Sequence, residues 1–248
     1  MEGKKIYFAS DFHLGAPDME SSRAREKKIC QWLDEIKSDA AEIYLVGDVL
    51  DYWFEYRQAV PRGFTRLFGK LAELTDAGIP VHWFAGNHDM WVFDYLPEET
   101  GIQYHREPLI REYSGKRFYI AHGDGLGPGD RRYKMLKKVL GNRICQWLFA
   151  RFHPNFGLWL MKKSSHTSRN ASYNNKEYLG EDKEWLILHS KSVLEQEHFD
   201  YFIYGHRHLV LKVPLNDRST YFNLGDWITQ FHYGVFDGKE MVLKKFEG

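Results

Sequence analysis

Cysteine is scarce in these 248 residues: Cys30 and Cys145 stand far apart, without C-x-x-C spacing. That excludes a disulfide framework and a thiolate zinc site, and it suits a reducing cytoplasm. Net charge is absent, since 34 Lys and Arg balance 34 Asp and Glu; the overall balance therefore points to no particular partner. No apolar run reaches the ~18 residues that would argue for a membrane span. The opening Met1-Glu2-Gly3-Lys4-Lys5 leads straight into a strand-like segment with no basic and apolar leader before it. Internal repeats and low-complexity segments are missing too. What remains, 43% hydrophobic and 27% charged residues, has the composition of a folded protein. Its length fits one domain over 1–248 carrying an insertion.

Apolar periodicity predicts short buried strands over 6–10, 43–46 and 80–85, and helices over 21–37 and 63–77. In the first helix Ile29, Trp32, Leu33 and Ile36 share a face. This β-α-β-α-β rhythm implies an α/β fold of mostly parallel strands flanked by helices. Ser114-Gly115-Lys116 between two strand-like runs signals a hairpin. A helix over 182–197 and a strand over 201–204 follow. The tail, around Asp237-Gly238, reads as antiparallel strands over 221–223, 233–236 and 241–246.

One further absence is local. From Arg131 to Lys176 there is no Asp or Glu, while Lys and Arg alternate with Tyr133, Leu136, Trp147, Phe149, Phe152, Phe156, Trp159 and Leu160. The first half has helical spacing, and Pro154-Asn155 separates it from a second, shorter helix. Residues 128–176 thus read as a basic, aromatic cap inserted on the rim of the domain. Basic amphipathic helices rest on anionic membranes, although apolar residues at this spacing more often pack a core.

Candidate metal ligands occur in five short groups: Ser10-Asp11-Phe12-His13, Gly47-Asp48-Val49-Leu50-Asp51, Gly86-Asn87-His88-Asp89, Ala121-His122-Gly123-Asp124 and Gly205-His206-Arg207-His208. Each follows an apolar strand, so all could converge on one sheet edge, where open α/β folds place their sites. In D-x-H and H-x-H, two side chains on the same side of an extended backbone could reach one centre. Adjacent glycines would allow the tight turns. Imidazole and carboxylate without thiolate suit Mn, Fe or Zn. Two such ions about 3.5–4 Å apart can polarise a phosphoryl oxygen and activate a water. Asp48 is the candidate bridge between them. Singly each motif is weak, a lone D-x-H being most often a surface-loop pair; all five in order define the chemistry. His82, His105, His153, His166, His189, His198 and His232 lie outside the motifs and are assigned no metal.

These groups resemble the pattern of the calcineurin-like metallophosphoesterases: D-x-H, G-D-x-x-D, G-N-H-[DE], H and G-H-x-H. The resemblance implies a four-layer sandwich of two mixed β-sheets flanked by helices, and two divalent ions, manganese foremost with iron or zinc as alternatives. It assigns Asp11, His13, Asp48 and His208 to one ion, and Asp48, Asn87, His122 and His206 to the other. His88 would face the phosphoryl group, oriented by Asp89. Asp51 and Asp124 would stand behind the ligands, a position that suits the need to orient metal-bound imidazoles.

A narrower resemblance is to the UDP-2,3-diacylglucosamine hydrolases of lipid A biosynthesis. It rests on Asp51-Tyr52-Trp53, on His122-Gly123-Asp124 leading to Asp130-Arg131-Arg132-Tyr133, on Ser164-Ser165 through Arg169-Asn170, and on Leu224-Gly225-Asp226-Trp227. It implies that the cap holds acyl chains and that the pyrophosphate is split to UMP and 2,3-diacylglucosamine 1-phosphate. Trp53, Asp130, Tyr133, Ser165, Arg169 and Asn170 would contact this lipid-nucleotide substrate. The enzyme would be cytoplasmic and peripheral on the inner membrane, which it would touch through the cap, with no nucleic acid as partner. Many members of that group carry Arg where this chain has His88. Two rivals stand beside this reading: a dimetal phosphodiesterase or nuclease, and a scaffold without catalysis.

Overall fold

The computed structural model describes residues 3–129, 131–173 and 177–248, and at 168–173 the backbone only. In chain order its elements are β1 (Lys5–Ala9), α1 (Met19–Ile36), β2 (Ala40–Leu45), α2 (Thr65–Asp76), β3 (Val81–Phe84), α3 (Tyr95–Thr100), β4 (Gln103–His105), β5 (Leu109–Tyr113), β6 (Lys116–Ile120), α4 (Arg131–Leu140), α5 (Arg143–Phe149), α6 (Pro154–Tyr173), α7 (Trp185–Leu194), β7 (Tyr201–Tyr204), β8 (Val210–Pro214), β9 (Thr220–Leu224), β10 (His232–Phe236) and β11 (Met241–Lys245).

The strands form two mixed sheets, one ordered β11-β10-β1-β2-β3-β4 and the other β5-β6-β7-β9-β8. Strand alternation builds the layers. In β1, Ile6 and Phe8 turn inward with Tyr44 and Phe84 to meet Phe118, Ile120, Ile203 and Phe222 of the second sheet. Tyr7 and Ala9 turn outward, where Ile43, Leu45 and Trp83 pack with Trp32 and Leu33 of α1 and Leu67 and Leu71 of α2. The second sheet's outer face, with Phe202, Tyr204 and Tyr221, is covered by Leu186 and Ile187 of α7. Helix, sheet, sheet and helix stack in that order.

Side chains set the helix starts. Asp18 accepts from Glu20 N and Ser21 N, so α1 begins two residues before the predicted point. No side chain of its own caps α2; Glu26 of α1 takes its Arg66 and Leu67 amides instead, pinning the two helices together.

The structure corrects the predicted tail and the predicted cap helices. β10 and β11 pair antiparallel in the first sheet, but β9 lies in the second, antiparallel to β8 and parallel to β7. Strand-like patterning says nothing of which neighbour a strand will find. In the 128–176 insertion the first half is two helices, broken at Gly141-Asn142 where Asn142 caps α5. Pro154 opens α6 rather than interrupting it, because proline lacks only an amide that the first turn leaves unpaired. The second helix is therefore the longer one.

Candidate metal centre

The five motif loops leave the C-terminal ends of β1, β2, β3, β6 and β7. These strands belong to both sheets, so the predicted single sheet edge is in fact the shared rim of two. Nor is the backbone extended at the motifs. Asp11, His13, Asp48, His206 and His208 all have positive φ, between 45° and 67°. In a D-x-H or H-x-H pair both residues are left-handed, and the loop coils so that both side chains turn inward. Such conformations cost non-glycine residues of order 1–3 kcal/mol each, so they must be held from outside.

Two carboxylates do much of the holding, by the same device. Asp11 Oδ2 accepts the amide of His206 and the Ser10 hydroxyl. Asp48 Oδ1 accepts the amide of His88 at 2.9 Å. Each thus spends one oxygen clasping another ligand loop and turns the other to the centre. The adjacent glycines are needed for room. A Cβ on Gly86 would stand 2.1 Å from Asp48 Oδ1 and 2.4 Å from its amide, and one on Gly205 would stand 2.5 Å from Asp11 Oδ2. Neither of these two glycines has positive φ, so the tight-turn expectation fails there and close approach replaces it.

Two groups meet at the centre. Asp11, His13 and His208 present ligand atoms within 4.8 Å of one another, and so do Asp48, His122 and His206; His13, Asp51 and His88 form a third such set beside them. Asp48 Oδ2 faces both groups, 3.3 Å from His122 Nε2 and 3.8 Å from His13 Nε2. Asn87 Oδ1 lies 3.4 Å from His122 Nε2. The tautomers are set from behind. His13 Nδ1 meets Asp51 Oδ1 at 3.2 Å, and His122 Nδ1 donates to the Val46 carbonyl at 2.8 Å. Both Nε2 lone pairs are left pointing inward. His13 Nε2 and His208 Nε2 are only 3.1 Å apart, and Asp11 Oδ1, buried between them, accepts no hydrogen bond. Converging lone pairs around an orphaned buried carboxylate oxygen are the donor set of a cation. The residues fit divalent metal ions.

Electrostatics agree. Burial alone would push His13 and His122 down, but the carboxylates outweigh it. Asp11, Asp51 and Asp48 beside His13, and Asp48 and Asp11 beside His122, pull both imidazoles up to about 10. Burial and the charge on His122 push His206 down to about 4. Without cations, protons fill their place.

The remaining predicted residues divide. Asp51 stands where expected, behind His13. His88 is fixed through Nδ1, 3.0 Å from both the Asp51 carbonyl and Ser165 Oγ. Asp89 does not orient it: its carboxylate accepts from Gly86 N, Val49 N, Leu50 N and Trp83 Nε1, tying two ligand loops together. Ser165 donates to Asp51 Oδ2 at 2.6 Å, so its proton is already used within the centre. Asp124 backs the second group and receives Tyr133 OH and Lys137 Nζ from α4. Trp53, expected to touch substrate, is wholly buried against Phe64 and Phe68 with its indole N–H on Glu55, and it also borders a pocket beside His88. Asp130 and the side chains of Arg169 and Asn170 lie outside the described residues. Sequence reasoning missed the Val46 carbonyl, which carries no signal, and Asn223, which donates to the Gly205 carbonyl. Among the described residues, none of the seven histidines outside the motifs joins a metal-holding group.

Beside His88 a pocket of about 370 Å³ opens between the core and the cap helices. Asn87, His88 and Asp51 border it at the metal centre, while Met90, Trp91, Leu136, Leu140, Phe149, Leu160 and Met161 supply apolar walls.

Residues 4–210 match the family model of the calcineurin-like phosphoesterases, and the chain belongs to that family. Among curated proteins it is 40% identical to a UDP-2,3-diacylglucosamine hydrolase of Porphyromonas gingivalis, with 98% of each chain covered. It is also 24% identical to the enzyme of that name from Histophilus somni, over 90% of this chain and 92% of the other. Among solved structures, YfcE, a phosphoesterase from E. coli, superposes with a TM-score of 0.50 at 17% identity, covering 98% of this chain and 93% of its own. That likeness bears on the fold alone. The protein is a phosphoesterase whose family and side chains both call for divalent metal.

Two outcomes follow. Gly86→Ala should reduce metal content and lower turnover about 100-fold, the scale of a 1 Å misplacement, whereas Gly69→Ala, with open space around its Cβ in α2, should leave both unchanged; metal analysis and a thermal melt of each variant check this. Because His13 and His122 rise to about 10 in the metal-free protein, both carry protons at pH 8, and a cation must displace them. Metal affinity should therefore climb as pH rises toward 10 and level off above it. Calorimetric titration at pH 8 in buffers of different ionisation enthalpy should show proton release, and a buffer-independent heat would contradict it.

Proposed function

We propose that this protein cleaves the pyrophosphate of UDP-2,3-diacylglucosamine to UMP and 2,3-diacylglucosamine 1-phosphate, a step of lipid A biosynthesis. The observation that carries the reading is the apolar pocket opening directly beside His88 and Asn87. A substrate with a pyrophosphate and acyl chains needs both surfaces within one molecule's reach. The 40% identity to an enzyme of that name, over nearly the whole chain, supports it.

Asp11, His13, Asp48 and His208 would hold one divalent ion, and Asp48, Asn87, His122 and His206 the other, with Asp48 shared. When bound, such a pair polarises phosphoryl oxygens and makes water a competent nucleophile near neutral pH; manganese is the ion proposed. The protein's own part is positioning. Buried Asp51 and the Val46 carbonyl keep the imidazoles of His13 and His122 in the ligating tautomer. His88 commits its Nδ1 proton to the Asp51 carbonyl and to Ser165, so Nε2 is the nitrogen available beside the phosphoryl group. Burial, reinforced by the charge on His13, keeps that imidazole's pKa below its usual value despite Asp48 nearby. The Tyr133 ring lines the pocket while its hydroxyl stays on Asp124.

The cap also carries the outward apolar surface. Met135, Leu136, Val139, Ile144, Trp147, Leu148, Phe152, Phe156 and Trp159 are exposed, among exposed Arg131, Arg132, Lys138, Arg143, Arg151, Lys162 and Lys163. No described helix is long and apolar enough to cross a membrane. A basic, apolar face of this kind suits the surface of the cytoplasmic leaflet, where a lipid substrate would be met.

Supplied with Mn²⁺, the enzyme should turn over UDP-diacylglucosamine to UMP and act weakly on bis-p-nitrophenyl phosphate and single-stranded DNA; indifference to the lipid nucleotide would reject the assignment. His88→Ala should lower kcat by about 10²–10⁴ with both metal ions retained, and loss of metal from that variant would overturn the role given to His88.

A further inference from the structure

On the outer side of the cap a second concavity, about 640 Å³ in volume, lies between the loop after Glu55 and the turn joining α5 to α6. Tyr56, Arg57, Gln58, Trp147, Arg151 and Pro154 line it, and it shares no lining residue with the pocket at the metal centre. Two features set it apart from an ordinary solvated surface. Arg57 and Arg151 are both exposed and neither has an acidic partner among the described residues. The nearest acid in sequence, Glu55, is buried and faces away, accepting the amides of Phe93, Asp94 and Tyr95 at the start of α3. From Arg131 through Lys176 the sequence holds no acid at all.

The cavity is also preformed. Tyr56 N and Ala59 O close the loop at 3.0 Å. The Tyr56 hydroxyl is buried under α6, where a Cβ on Gly157 would stand 2.2 Å from it. From α5, Phe149 anchors inward on Phe54 and Trp91. Its neighbours Trp147 and Leu148, and Phe152 beyond, face out at 56%, 54% and 45% exposure. The Arg151 guanidinium lies 4.4 Å from the Trp147 ring centroid, and this cation–π contact orients it without neutralising it.

We propose that this groove binds the phosphate of an anionic glycerophospholipid headgroup, at a site separate from the metal centre. Two guanidiniums without acid partners match a phosphate's oxygens by their forked donors. The apolar surroundings decide the source of that phosphate. Trp147 in the lining, with the exposed Leu148 and Phe152 next to lining residues in sequence, offers apolar groups that a bilayer takes up and that a nucleic-acid backbone or free phosphate does not. The headgroup would thereby fix which face of the cap meets the membrane, turning the adjoining acyl pocket toward it. The inference rests on the membrane-facing cap proposed above, and it is separable from the assignment of substrate.

Sedimentation of the metal-loaded protein with vesicles of phosphatidylglycerol in phosphatidylcholine, against phosphatidylcholine alone, tests it. Each basic residue near an anionic surface contributes about fivefold in partitioning, so Arg57→Ala/Arg151→Ala should bind the anionic vesicles about 30-fold more weakly. Arg57→Lys/Arg151→Lys keeps the charge but loses the fork, and should still lose about fivefold. Hydrolysis of bis-p-nitrophenyl phosphate in solution should be unchanged in both variants, showing an intact fold and metal centre. Wild-type vesicle binding by the double-lysine variant would reduce the groove to diffuse charge and overturn the proposal. So would equal affinity of the wild type for a single-stranded oligonucleotide. Failure to hydrolyse UDP-diacylglucosamine, with the vesicle result intact, would sink the substrate assignment and leave the groove standing.

Discussion

Two carboxylates, Asp11 and Asp48, are buried to about one per cent exposure at the rim where two sheets meet. Taking a carboxylate out of water costs several kcal/mol even after the protein relaxes, unless charge and hydrogen bonds replace the water. The rest of the centre reads as the answer to that cost. One oxygen of each is satisfied by the amide of a second motif loop, His206 for Asp11 and His88 for Asp48. The other oxygen looks into a ring of imidazole nitrogens that cannot all be satisfied by protons. A bound cation satisfies them together. The residues that would ligate metal therefore also hold the motif loops together, and Asp11 with His206 joins the two sheets.

The strained backbone is the consequence. Five ligand residues adopt left-handed conformations because each carboxylate must reach across to the next loop while its neighbour turns to the same centre. Interactions from several directions hold the loops in place. Asp89 straps the loops after β2 and β3, and Arg25 of α1 grips the His13 carbonyl at 2.7 Å. Behind the G-H-R-H turn, Arg207 forms a forked pair with buried Glu184 at 2.8 and 2.9 Å, which ties the turn to the start of α7. A loop constrained only by its own sequence would relax out of such geometry.

This explains what the sequence made legible. The convergence of Asp11, His13, Asp48, Asn87, His122, His206 and His208 could be anticipated because metal chemistry restricts residue type and spacing, and strand ends restrict place. The left-handed backbone left only a weak trace, in that Asp and His tolerate positive φ better than most residues, and an extended strand was the mistaken reading of D-x-H. Glycines were visible; that Gly86 and Gly205 make room for a carboxylate rather than a turn was not, since the carboxylate comes from a distant loop. Asp89 stood beside chemistry-bearing residues and was read as part of the chemistry, whereas its four buried acceptor contacts make it a strap. Apolar alternation gave strands flanked by helices, while the two sheets and four layers came only with the family resemblance. The parallel neighbour of β9 followed from neither, because pairing is a long-range choice that local pattern does not encode.

The cap is more than a cover over the metal centre. Ser165 of α6 sits between Asp51 and His88, so a cap hydroxyl bonds both the carboxylate behind His13 and the His88 imidazole. Tyr133 and Lys137 of α4 close on Asp124, next to His122 and His206. Trp91 donates to the Leu140 carbonyl where α4 ends, and its ring meets Phe149 of α5. Thus α4 and α6 touch different parts of the centre, and α5 packs on Trp91 beside it. The pocket between them is walled by the same helices that hold His88 and Asp124: Leu136 and Leu140 stand on α4 with Tyr133 and Lys137, and Leu160 and Met161 on α6 with Ser165.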